Sequence, residues 1–111
     1  MGQNQSVVVI FRSRLEPATG TEYQRTAERM ETLARLMPGF ISVKTFAAPD
    51  GERVSIIEFE SEQAVSAWRN HPEHHEAQRR GREAFYLEYR IQVLSPIRER
   101  TFKRPHSQSL P

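Results

Sequence analysis

The sequence predicts an α+β domain with the order strand, helix, strand, strand, helix, strand, the ferredoxin-like βαββαβ arrangement. Three observations point to it. Phe85, Leu87, Tyr89, Ile91 and Val93 alternate strictly with Tyr86, Glu88, Arg90 and Gln92, which is the period of a strand. Tyr23, Ala27, Met30, Ala34 and Met37 recur at spacings of four and three, which is the period of a helix. Turn and cap residues separate these runs at the places that order requires.

The elements follow in turn. Val7 to Ser13 is an apolar run turning polar and reads as a buried strand. Pro17 to Gly20 breaks it, and Thr19 with Glu22 makes a capping box for the first helix. Leu33 and Leu36 widen the apolar stripe of that helix, and Pro38-Gly39 ends it. Phe40 to Ala47 is the second strand, with Ile41 and Val43 assigned to one face. Pro49-Asp50-Gly51 is a turn, and Val54 to Glu60 returns as the third strand. Ser61 caps a helix bearing Ala64, Val65 and Trp68. Pro72 suits the first position of a further helical turn, with His71 just before it, and Gly81 relaxes that turn before the last strand. Residues 1–95 form the domain, and residues 96–111 a basic tail, extended or partly disordered.

The chain has 111 residues and no cysteine, so disulfides and thiolate metal sites are excluded. Residues 1–95 carry 12 basic and 13 acidic side chains, a net −1, while the tail carries four basic and one acidic, a net +3. The body therefore lacks the basic footprint of a nucleic-acid binder. No apolar run is long enough to span a membrane, and a cytoplasmic location is expected. Met1-Gly2 with Ser6 fits the loose myristoylation pattern, which is set aside. Both faces of the third strand are apolar, Val54 and Ile56 against Ile57 and Phe59. One layer of helices covers only one face, so a second copy of the chain is the expected cover for the other, giving a homodimer.

Candidate chemistry concentrates between Trp68 and Arg90. Trp68 follows Val65 by three, so core packing and a flat pocket wall are both open readings. His71 lies three from His74 and four from His75, a spacing that brings imidazoles to one helix face. Two histidines make no firm metal site, and none is predicted. A general base is the alternative, since imidazole titrates near neutral pH. Gln78 and Arg82 continue the histidine side, and Arg79, Arg80 and Arg82 read as a solvated face. Tyr86 falls on the polar face of its strand and is the pocket candidate; Tyr89 falls on the opposite, apolar face and reads as core. No phosphate loop, dinucleotide fingerprint or nucleophile elbow is present.

This layout, with Met37 to Phe40 ending the first helix and Ser-Glu-x-Ala-x-x-x-Trp at Ser61 to Trp68, resembles the antibiotic biosynthesis monooxygenase (ABM) superfamily. The segment H-x-x-H-x-x-A-Q-x-x-G-R-E-x-x-Y-x-x-Y from His71 to Tyr89 is similar to a small bacterial branch of it. The resemblance implies a dimeric α+β barrel and a monooxygenase that uses O2, without metal or organic cofactor, on a small aromatic or quinol-type molecule. It implies Trp68 lining the cavity, His71 or His74 as base, and Gln78 or Tyr86 bonding the oxyanion; Arg82 completes the expected substrate-binding set. Relatives without chemistry imply a second reading, a dimeric small-molecule-binding protein. Heme-degrading relatives imply a third, but Gln78 stands where their iron-binding histidine falls, and Val7 to Arg14 contains no Asn.

Overall fold

The computed structural model describes residues 6–105; Met1 and Gly2 of the myristoylation pattern and the last six residues of the tail lie outside them. Four strands, β1 (Val7–Leu15), β2 (Phe40–Ala47), β3 (Arg53–Phe59) and β4 (Tyr86–Leu94), form one antiparallel sheet in the order β2-β3-β1-β4. Helix α1 (Gly20–Leu36) joins β1 to β2; α2 (Glu62–Arg69), α3 (Pro72–Arg80) and a π-helical turn (Gly81–Phe85) join β3 to β4. This is the ferredoxin-like α+β fold.

The helices cover one face of the sheet. On that face Val7 and Val9 of β1 stand in register with Phe59 and Ile57 of β3, and all four are buried with Val65 of α2. Phe40, Val43, Met37, Ala64 and Trp68 pack around them. Phe59 is fully buried, and such a side chain contributes about 2–3 kcal/mol of transfer free energy. The opposite face presents Ile10 between Ile56 and Gln92, and Arg12 between Val54 and Arg90. It mixes apolar and charged side chains.

Three sequence expectations change. Thr19 does not anchor a capping box: it is already helical, at φ −66° and ψ −35°, its side chain makes no cap bond, and Gly20 turns the chain at φ 60°. Ile41 does not share a core-facing side with Val43. A register shift between Phe40 and Ser42 inserts one residue, so Phe40 and Val43 pack on the core while Ile41 is exposed. Tyr86 and Tyr89 do not point apart. A second shift, between Arg14 and Leu15, puts Tyr86 opposite Leu15, and the two tyrosine rings meet with centroids 5.7 Å apart.

The other punctuation falls where expected. The Ser61 hydroxyl accepts the Ala64 N–H at 3.1 Å, and Pro72 opens α3. Gly39 takes φ 86°, its carbonyl accepts the Glu60 N–H at 2.7 Å, and a Cβ there would stand 2.7 Å from that of Ala64. Gly20, at φ 60°, has nothing within 4 Å of the same position. Gly39→Ala is therefore expected to cost about 2–4 kcal/mol, from backbone strain plus the clash, against about 1–2 kcal/mol for Gly20→Ala. Urea unfolding of the two variants measures both; equal losses would show that α2 yields to the added methyl group without cost.

Candidate functional site

The site starts from Phe59. Its ring lies 5.5 Å from that of Trp68, and Trp68 in turn lies 4.3 Å from the His74 imidazole. The turn between α2 and α3 makes this meeting possible. The Asn70 N–H bonds the carbonyl of Ser66, and the His71 N–H that of Trp68, so α2 closes and α3 begins within three residues. The Trp68 indole N–H is buried and has no acceptor among the described residues. A buried unpaired donor of this kind costs about 1–3 kcal/mol.

Both candidate bases are already engaged. His71 is the N-cap of α3: its Nδ1 accepts the Glu73 N–H at 3.1 Å. In the neutral ring that leaves the proton on Nε2, so His71 offers an N–H outward rather than a free lone pair. His74 Nδ1 lies 3.0 Å from Gln78 Nε2, and with the amide nitrogen as donor His74 is also a Nε2–H tautomer. Burial holds the His74 imidazole down to about 4 from the usual 6.5, against a hydrogen bond to the Arg69 backbone, and the neighbouring His75 and His71 lower it further. It is neutral at neutral pH.

The remaining candidates separate. Gln78 joins the Trp68 group through His74. Arg82 is exposed, in the π turn that interrupts the α-helical phase. Arg79 pairs with Glu76 and Glu83, and Arg80 with Glu22, so this basic run is largely neutralised. Tyr86 belongs to a second group. Its ring meets Phe11 at 5.4 Å and Tyr23 at 6.0 Å, and lies so close to Gly81 that a Cβ there would stand 2.7 Å from it. Burial holds the Tyr86 phenol above its usual range, and Tyr23 adds to this. Phe59 faces Val7 and Tyr86 faces Leu15, eight residues along β1. The two groups are thus anchored roughly 26 Å apart along the strand.

Sequence reasoning missed Phe11 and Tyr23 as partners of Tyr86. Tyr23 was visible as the first residue of the helical stripe, but only the β1–β4 register joins it to Phe11. Also missed was a cleft of about 470 Å³ where Arg12, Arg14 and Arg90 meet Asp50, Glu52 and Glu88. Arg12 binds Glu52 through two nitrogens, at 2.8 and 3.1 Å, and Arg14 binds Asp50 at 2.9 Å. Among the described residues no three His, Cys, Asp or Glu side chains are grouped to hold a metal ion, and no helix is long and apolar enough to cross a membrane.

A family model described as antibiotic biosynthesis monooxygenase matches residues 6–80. The uncharacterised protein YqjZ of Bacillus subtilis (strain 168) is 37% identical over 95 residues, 86% of this chain and 82% of that one. Among solved structures, Rv0793 from Mycobacterium tuberculosis superposes with a TM-score of 0.76 at 24% identity, covering 86% of this chain and 99% of that chain. SnoaB, a cofactor-independent oxygenase from Streptomyces nogalater, superposes with a TM-score of 0.72 at 14% identity, covering 86% of this chain and 96% of its own. At these identities the two structures speak for the fold.

The depressed His74 pKa links stability to pH. The folded state resists protonating this ring and the unfolded chain does not, so its contribution is complete above about pH 6.5 and is lost as pH falls toward 4. Between pH 7.5 and 5 the expected loss from this group is about 2 kcal/mol. Urea midpoints of wild type and His74→Leu across that range test it. The variant should show a flatter profile; parallel profiles would mean that His74 is not desolvated.

Proposed function

The chain belongs to the antibiotic biosynthesis monooxygenase family, and we propose that it is a cofactor-independent monooxygenase oxidising a small aromatic or quinol-type substrate with O2. The observation that carries this reading is Trp68. A flat ring is held between Phe59 and His74, and its buried N–H lacks an acceptor. A substrate carbonyl or phenolate oxygen supplies one. SnoaB, of the same fold, supports the reaction class.

The tautomers suggest how the residues divide the work. His71 presents Nε2–H, so it acts as a donor that favours the ionised form of the substrate, whose proton leaves to water, while the N–H of His74 is taken by the Arg69 backbone. Trp68 binds the substrate oxygen, and Gln78 fixes the orientation of His74. For an anthrone-type substrate the reactive CH2 becomes C=O. The carbon gives up four electrons to O2; one oxygen atom enters the new carbonyl, and the other leaves as water with the two hydrogens. Tyr86 and Arg82 take no part in this group. A second copy of the chain covering the open sheet face, and a cytoplasmic location, belong to the same proposal.

A second reading, ligand binding without turnover, is favoured by one observation: the protein already uses Nδ1 of both histidines. Oxygen uptake separates the two. Chelator-treated protein is expected to consume O2 saturably with members of an anthrone and quinol panel, above autoxidation. Trp68→Phe, which keeps the ring packing and removes the N–H, should lower kcat/KM by about 10- to 100-fold. Uptake identical in wild type and Trp68→Phe would remove Trp68 from the chemistry, and no uptake with any substrate would favour the binding protein.

A further inference from the structure

Helix α3 carries His74 and Gln78 and is capped by His71, yet none of its residues is buried, whereas α1 buries Leu33 and Ala34 and α2 buries Val65. Little apolar area holds α3 down, and elements of that kind open first. Helical hydrogen bonding changes at both of its ends. It starts at His71, whose backbone is extended at ψ 137°, and it runs out into Gly81 and the π-helical turn. On its inner side His74 meets the Trp68 ring at 4.3 Å and bonds the Arg69 backbone. The Trp68 indole N–H below is out of contact with solvent. An oxygen from outside therefore reaches it only when the side chains over it move.

On its outer side α3 is tied to α1 by two ion pairs. Arg29 donates to Glu73 through two nitrogens, at 2.8 and 2.7 Å, and Arg80 to Glu22 through two, both at 2.8 Å. The pairs sit two turns apart on each helix, about 10 Å. Between them the helices do not close. A groove of about 400 Å³ lies there, lined by Thr26 and Met30 of α1 and by Glu76 and Ala77 of α3. Ion pairs as exposed as these contribute little and weaken with salt, which suits a contact made and released repeatedly.

We propose that α3 is a lid over Trp68, hinged at Asn70–His71 and at Gly81 and latched to α1 by Arg29–Glu73 and Arg80–Glu22. Release of the latches widens the α1–α3 groove and lifts His74 from the indole ring, so that the N–H becomes accessible. Closure returns His74 to the ring and shuts water out. The lid rests on the Trp68 site of the proposed function, as the way a substrate enters it, but its opening is measured without substrate.

With one tryptophan in the chain, hydrogen–deuterium exchange of a single indole N–H, followed by NMR on the full ligand-free protein, reads the opening. Backbone N–H groups of β1, held between β3 and β4, read global unfolding in the same spectra. The indole is expected to exchange more slowly than free tryptophan and faster than the β1 amides. Arg29→Gln and Glu22→Gln should each speed it about two- to fivefold, and together about tenfold, with the β1 amides unchanged. Added salt should speed wild type in the same way and leave the double variant unmoved. The chain has no cysteine, so Thr26→Cys with Glu76→Cys, midway between the latches, can be bridged selectively by a short reducible cross-linker. Bridging should slow exchange about tenfold, and reduction should restore it. Exchange at the rate of free tryptophan, exchange in step with the β1 amides, or a rate unmoved by the latch substitutions, salt and the bridge would each overturn the lid. The oxygen-uptake comparison stands or falls separately: a working lid without uptake fails the monooxygenase reading alone.

Discussion

The packing of Phe59 is the constraint on which the rest of the structure depends. It ends β3 opposite Val7 of β1 and Phe40 of β2, so one side chain ties three strands together. The Phe40 ring meets it at 5.8 Å and the Trp68 ring at 5.5 Å. Through Trp68 it fixes α2, and through His74, whose ring meets Trp68 at 4.3 Å, it fixes α3. The Trp68 group is therefore built directly on the core, with no loop between them. Under the proposed function, rigid support of that kind holds an aromatic wall and the indole N–H in one geometry, as charge stabilisation requires.

Electrostatics divide the molecule in the same way. Four arginines of the helix layer are matched: Arg29 with Glu73, Arg35 with Glu31, Arg79 with Glu76 and Glu83, and Arg80 with Glu22. Exposed pairs like these are worth little in stability, but they keep the helix layer from acting as a basic patch. Beside Trp68, His74 is held uncharged, and the indole N–H stands without a partner.

The sequence made the element order, the Pro38-Gly39 stop, the Ser61 cap and the Pro72 start legible, because each rests on local backbone chemistry. It also singled out Trp68, His74 and Gln78: a helical period joins His74 to Gln78, and the turn between α2 and α3 brings Trp68 to His74. Its failures share one cause. Assigning faces by counting in twos assumes an unbroken ladder, and one inserted residue reverses every later assignment. The irregularities at Ile41 and at Arg14/Leu15 do this, so Ile41 left the core side and Tyr86 met Tyr89. The π turn at Gly81 likewise ended the helical phase that had placed Arg82 beside Gln78. The use of His71 Nδ1 as a cap was half visible: Pro72 marked the helix start, but the ring's hydrogen bond is a matter of rotamer.

Trp68 is the only tryptophan, so its emission reports this one site. The most direct measurement is a fluorescence titration of wild-type protein with an anthraquinone, already fully oxidised and so not turned over with O2, paired with calorimetry on the same samples. The account predicts a saturable change in Trp68 emission with one ligand per protomer, at the affinity calorimetry gives. Calorimetric binding with unchanged emission would place the ligand elsewhere. No binding by either method would contradict the claim that the unpaired indole N–H marks a site for an oxygen-bearing aromatic.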